Sequence, residues 1–366
     1  MAINVQKLLE GVVRVNASDL HLKVGGPPMI RLNGHLHPID HPQLVREDTE
    51  AANKLMMPPR CDEMLKRDGT VDYSYGLTLT DRFRVNCYHQ RGNKSLAIRR
   101  INSAKVTLEG INMPPSIAKI AEFRRGLVLV TGITGCGKST TLAALIHMIN
   151  DSRREHVITI EDPIEYVYQD NKCIIDQVEV HHDVIDFKCA LRHALRQDPD
   201  IIMLGELRDR ETIEIAMQCV ETGHLVLSTL HTNDARQTIT RITHFYSHEE
   251  QELIFDQIAQ NLKGVVSQRL VRTGDGKGRV PVCEIMFNNA VIAKLISERR
   301  VGDIIQVLRS GQDGMQTFDS HLVQLVKSKI VSMETALHTV EDEAAFRREL
   351  RGIQAGGDRG GLIGAT

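Results

Sequence analysis

Apolar and polar residues follow two different rhythms along this chain. Up to about residue 100, short alternating runs dominate. Asp19 to Val24 alternates as a half-buried strand does, and Met29–Leu32 and Leu36–Ile39 flank Asn33-Gly34. Asn-Gly suits a type I′ turn, so these two runs predict a hairpin. Val71–Tyr75, Phe83–His89 and Leu96–Ile101 predict further strands, with helices over Val5–Val15 and near Thr49–Leu55. A connecting segment from Asn102 ends at the breaker Pro114-Pro115.

Beyond it the apolar runs are continuous: Leu127–Val130, Val157–Ile160, Ile201–Leu204 and Leu225–Thr229. Helical patterns separate them. Leu142, Leu145, Ile146 and Ile149 line one helix face, Phe187–Arg196 follows a candidate N-cap at Asp186, and Arg210–Thr222 runs from Asp209 to Gly223. Strands alternating with helices predict an α/β domain whose parallel sheet is covered on both faces. From about Asp234 onward the pattern predicts mainly helix. The expected organisation is an α+β domain over 1–101, a linker over 102–115, an α/β domain with a helical C-terminal part over 116–350, and a flexible glycine-rich tail over 351–366.

Composition narrows the function classes. Net charge is -2 and aromatics make up 4%, which does not favour the basic grooves and stacking platforms of nucleic-acid binders. No stretch approaches the ~18 apolar residues of a membrane span, and the first residues do not read as a secretory leader. The seven cysteines are scattered without C-x-x-C, so a reduced cytosolic setting is expected, without a zinc site or disulfide framework.

The candidate chemistry begins at Gly132-Ile133-Thr134-Gly135-Cys136-Gly137-Lys138-Ser139, which fits the phosphate-binding G-x-x-x-x-G-K-[ST] loop. A predicted strand precedes it and a helix follows, as the mechanism requires. The backbone at Gly132, Thr134, Gly135, Cys136, Gly137, Lys138, Ser139 and Thr140 is the expected cradle for ATP, with Lys138 reaching the β- and γ-phosphates and Ser139 ligating Mg²⁺. Three carboxylates, Glu161, Asp162 and Glu165, crowd the end of the second strand of this domain. The third strand, Ile201–Leu204, leads through Gly205 to Glu206, a Walker-B pattern that brings a carboxylate to the metal and the attacking water. His224 and His231 bracket the fourth strand and are candidate γ-phosphate sensors. Arg82, Arg84, Arg91, Arg99 and Arg100 form a basic set in the first domain. A cation from such a set could complete the site, in ring ATPases often from a neighbouring subunit.

Together these boxes resemble the secretion-type AAA-like ATPases, and within them the PilT-type retraction motors of type IV pili. The resemblance covers nearly the whole chain: Ala17 to Gly34, GITGCGKSTT, TIEDPIEYV, LRQDPDIIMLGELRDRET and TGHLVLSTLHTNDA. It implies an N-terminal PAS-like domain, a C-terminal RecA-like P-loop ATPase domain, and a homo-hexameric ring. It further implies that Glu161 and Glu206 position Mg²⁺ and water, and that His231 lies near the γ-phosphate. The implied setting is cytoplasmic, at the inner-membrane base of a pilus machine. The implied partners are the membrane platform protein and other pilus ATPases. Two departures stand out. Ala293 and Ser297, in VIAKLISE, occupy positions where the retraction motif has arginines, and Ile133 stands where the family often has Pro. The first keeps open an accessory paralogue that modulates another pilus motor.

Overall fold

In the computed structural model, residues 3–78, 80–101, 104–340 and 343–351 are described. The expected tail, apart from residue 351, and linker residues 102–103 lie outside them. Six strands of the N-terminal stretch form one antiparallel sheet in the order β3-β2-β1-β6-β5-β4. They are β1 (Asp19–Leu22), β2 (Met29–Leu32), β3 (His35–Pro38), β4 (Thr70–Gly76), β5 (Arg82–Gln90) and β6 (Asn93–Arg100). The Asn-Gly turn joins β2 to β3 with φ of 51° at Asn33 and 85° at Gly34, the positive values its type needs. Helices α1 (Val5–Arg14), α2 (Arg46–Met56) and α3 (Cys61–Asp68) accompany this sheet. Leu9, Leu20, Phe83, Val85 and Ile98 are fully or almost fully buried in its core.

A second sheet has seven strands in the order β13-β12-β7-β11-β10-β8-β9. Its parallel centre is β7 (Gly126–Thr131), β8 (His156–Glu161), β10 (Ile201–Leu204) and β11 (Leu225–Leu230), the four continuous apolar runs, with β9 (Ile174–Glu179) at one edge. Every residue of β7, β10 and β11 is buried, which is why these runs carry no polar alternation. Around this sheet run α4 (Lys138–Ser152), α5 (Phe187–Ala194), α6 (Arg210–Glu221), α7 (Ala235–Thr243), α8 (Gln251–Asn261) and α9 (Ala290–Ser297). Beyond them follow α10 (Ile304–Arg309), α11 (Phe318–Lys327), α12 (Met333–Leu337) and α13 (Glu343–Leu350). Asp209 caps α6 by accepting from the Thr212 N–H at 2.8 Å.

The α/β reading holds and the stretch beyond Asp234 is mostly helical, but it also carries two strands that the periodicity did not predict. β12 (Leu262–Arg272) and β13 (Arg279–Phe287) form a long antiparallel hairpin, and β12 joins β7 in parallel. Short apolar pairs such as Val265-Val266 and Leu270-Val271 fit helical and strand periods alike. The turn between the strands settles the matter: Thr273 accepts from the Gly278 N–H at 3.0 Å, and Gly276 sits at φ 69°. The backbone divides into two units. One is Met1–Lys105 with Glu161–Asp170 and Gln177–Asp186; the other is Val106–Ile160, Asn171–Asp176 and Phe187–Thr366.

Candidate active site

β7 delivers the chain to Gly132 and α4 leads it away from Gly137, so residues 132–137 form a loop at the carboxyl edge of the second sheet. Two of its glycines are sterically required. A Cβ on Gly132 would lie 2.4 Å from the Gln268 carbonyl and 2.5 Å from the Cys136 sulfur, at a φ of +142°. Gly137 enters α4 at φ +94°, with the Gln268 amide nitrogen 3.2 Å from where a Cβ would be. The first four N–H groups of a helix lack partners within it, and here they belong to the segment that begins with Lys138. That arrangement suits an anion. The Lys138 ammonium folds back onto the loop, donating to the carbonyls of Gly132 at 2.9 Å and Ile133 at 3.3 Å. Thr134 and Gly135 are exposed, while Ser139 and Thr140 are half-buried. Cys136 is buried, and burial pushes its thiol pKa up, which makes it a poor nucleophile.

β10 and β11 bring a carboxylate and an imidazole to the same edge. Leu230 pairs with Thr131, so His231 follows β11 where Gly132 follows β7. The turn after β10 is pinned on both sides. The Gly205 N–H donates to the Ile160 carbonyl at 2.8 Å, and the Thr229 hydroxyl donates to the Gly205 carbonyl at 2.7 Å. Glu206 stands on that turn with one oxygen 3.2 Å from His231 Nε2 and the other 2.9 Å from Arg208 Nε. His231 Nδ1 lies 3.5 Å from Lys138 Nζ. An ammonium only donates, so Nδ1 accepts there and Nε2 is the ring nitrogen that faces Glu206. Lys138, His231 and Glu206 thus form one polar chain across three neighbouring strands.

The hairpin holds this chain from beneath. Gln268 on β12 donates to the Cys136 carbonyl at 2.7 Å and accepts from the Thr141 hydroxyl at 2.9 Å. Beside it, the Ser267 hydroxyl accepts from Thr131 at 2.8 Å. Glu284 on β13 pairs with Ser267 in the ladder and accepts from the Ala235 N–H at 2.9 Å, at the start of α7. α7 begins four residues after His231, and Asp234 caps it through the Gln237 N–H at 2.7 Å. Burial of Glu284 lifts its pKa to about 7.

The other expected residues have partners of their own. His224 precedes β11 and bonds the Cys219 carbonyl at 2.8 Å. It is therefore a strand's length, about 20 Å, from the phosphate loop of its own chain, and the geometry does not support a γ-phosphate role there. Glu161 ends β8, and its buried carboxylate accepts from Gln177 at 3.3 Å and from the Glu165 N–H at 3.4 Å. Asp162 and Glu165 are exposed. In the first unit, Arg82 lies 3.6 Å from Glu179, which also accepts from Ser74 at 2.6 Å. Arg84 is exposed and lies 3.4 Å from Asp72. The sequence reading missed Arg208, Ser267, Gln268 and Glu284. For the last three the available signal was polar residues set inside apolar runs.

The family described as type II/IV secretion system protein matches residues 1–350. The type IV pilus retraction ATPase PilT of Pseudomonas aeruginosa is 40% identical over 91% of this chain and 97% of its own length. The type IV pilus ATPase PilU of the same organism is 40% identical over 91% of this chain and 87% of its own length. A crystal structure of the pilus retraction motor PilT with bound ADP is 37% identical and superposes with a TM-score of 0.87, covering 94% of this chain and 99% of that one.

Proposed function

We propose, from the premise that the chain belongs to the type II/IV secretion system protein family, that it is an ATP-hydrolysing motor that drives type IV pilus retraction. Relatives named as retraction and twitching-motility proteins support this reading along most of the chain. The observation that carries it is the polar chain Lys138–His231–Glu206 at the mouth of a phosphate loop.

In this reading the loop from Gly132 to Thr140 holds the phosphates through its backbone N–H groups. Lys138 exchanges the Gly132 and Ile133 carbonyls for β- and γ-phosphate oxygens. A serine hydroxyl and a carboxylate are the hard oxygen donors Mg²⁺ takes, so Ser139 and Glu206 are the residues that would hold it. Glu206 already lies 3.2 Å from His231 Nε2 and 2.9 Å from Arg208 Nε, at the edge where the phosphates would sit. Bound Mg²⁺ would neutralise charge on the transferring phosphoryl group. Glu206 orients the attacking water, Glu161 is the second candidate carboxylate for that role, and His231 contacts the γ-phosphate. Arg82 and Arg84 are candidates to supply positive charge within a homo-hexameric ring.

The ring would work in the cytoplasm against a membrane platform protein. No described helix is long and apolar enough to cross a membrane, so membrane contact would run through that partner. The divergent segment lies on α9, where Ala293 is half-buried and Ser297 is exposed, its hydroxyl bonded to Asp256 of α8. Deleting the gene and scoring surface pili and twitching tests the assignment. Excess pili without movement is the expected result, whereas normal pili and normal twitching would contradict it.

A further inference from the structure

We propose that Gln268 is a positioning residue for nucleotide binding, locking the phosphate loop in its binding form by bridging the Cys136 carbonyl and the Thr141 hydroxyl. This rests on the reading of the loop as an ATP site. Gln268 is 1% exposed. A buried side-chain amide is costly unless both its ends are bonded, and here both are. The two bonds also fix its orientation, because a flipped amide would set oxygen against the Cys136 carbonyl.

The bridge acts on the loop through peptide planarity. The Cys136 carbonyl and the Gly137 N–H belong to one trans peptide and point in opposite directions. Holding the carbonyl onto β12 therefore turns the Gly137 N–H away from the strand. Thr141 lies in the first turn of α4, so the same amide also ties the helix N-terminus to that peptide. Close packing adds to the grip, since Gly132 rests against the Gln268 backbone where no side chain fits. Next to it, Ser267 holds Thr131. The dipeptide Ser267-Gln268 thus contacts the loop at its entry, its middle and its exit. Without the amide, the Cys136–Gly137 peptide is free to rotate, and nucleotide binding would have to stop that rotation.

The test is a titration of the full-length protein with a fluorescent ATP analogue, alongside steady-state ATPase kinetics. Gln268→Met keeps the length and removes both bonds. Gln268→Glu keeps the acceptor for Thr141 and loses the donor to Cys136. Both variants are expected to raise Kd about tenfold, equivalent to ~1.4 kcal/mol. The loss should appear in KM more than in kcat. Thr141→Val, which frees the other end of the bridge, should raise Kd too, and its effect should not add to that of Gln268→Met. Folded variants with wild-type Kd would overturn the proposal. If Gln268→Met does not fold, a wild-type Kd in folded Gln268→Glu would overturn it equally. A wild-type protein that binds no nucleotide would instead refute the ATP-site reading itself.

Discussion

His231 Nε2 lies 3.2 Å from a Glu206 carboxylate oxygen, and its other ring nitrogen lies 3.5 Å from the Lys138 ammonium. The imidazole therefore links the residue that would hold the phosphates to the residue that would orient water. A γ-phosphate entering the loop would draw Lys138 away from Nδ1 and leave that nitrogen open to the nucleotide.

That relationship separates binding from turnover. His231→Gln should leave the Kd for ATP within about threefold, because the loop and Lys138 are intact. It should lower kcat about 100-fold, the low end of what a positioned proton-transfer or polar group contributes. Binding titration and single-turnover hydrolysis on the same preparation check this. A kcat near wild type would remove His231 from the site.

How much of this was legible in the sequence follows from where each residue lies on its strand. Lys138 and Glu206 stand just past buried runs, and a parallel sheet sets the ends of such runs side by side. His224 precedes the run that His231 follows, so it falls at the opposite edge of the sheet, and chain order alone separates the two. Gln268 and Glu284 reach the site only because β12 pairs with β7, more than 130 residues away in the chain. Local periodicity carries no trace of that pairing, and the hairpin's apolar pairs fit a helix as well. The clustering of Glu161–Asp170 and Gln177–Asp186 with the first unit is likewise a matter of non-local contacts.

His321 gives the fold an acid-side limit. It is 4% exposed on α11, and its Nδ1 accepts from the Cys283 N–H at 3.0 Å. Burial holds its pKa down at about 4, against 6.5 for a free imidazole. The unfolded chain takes up the proton first, so stability is present above pH 6.5 and is lost as pH falls towards 4. The full loss is ~3 kcal/mol. Because Glu284 titrates across the same window in the opposite sense, the readout is the difference between variants. Urea denaturation at pH 7.5 and pH 5 should show His321→Gln gaining stability relative to the wild type at the lower pH, and an unchanged difference would remove His321 as the cause.

Glu284 works in the opposite direction, one residue further along β13. Its folded pKa of about 7 lies above the ordinary carboxyl value of 4.5. Burial is the main cause. Asp234 adds to it, while the Ala235 N–H, Arg236 and Arg269 oppose it. A raised carboxyl pKa gives stability that is complete below pH 4.5 and is lost as pH rises through 7. Glu284→Gln keeps an acceptor for the Ala235 N–H without the charge. It should unfold ~1–3 kcal/mol harder than wild type at pH 8, with the difference shrinking to zero near pH 4.5. Equal stability at pH 8 would show that Arg236 and Arg269 offset the buried charge.

The most direct test of the account concerns Glu206, the end of the polar chain furthest from the phosphate loop. Glu206→Ala should bind ATP with a Kd close to wild type, since Lys138 and the loop backbone remain. Its hydrolysis should fall at least 100-fold, the scale of losing the group that orients the attacking water. Hydrolysis by purified Glu206→Ala at the wild-type rate would contradict the assignment of the catalytic site.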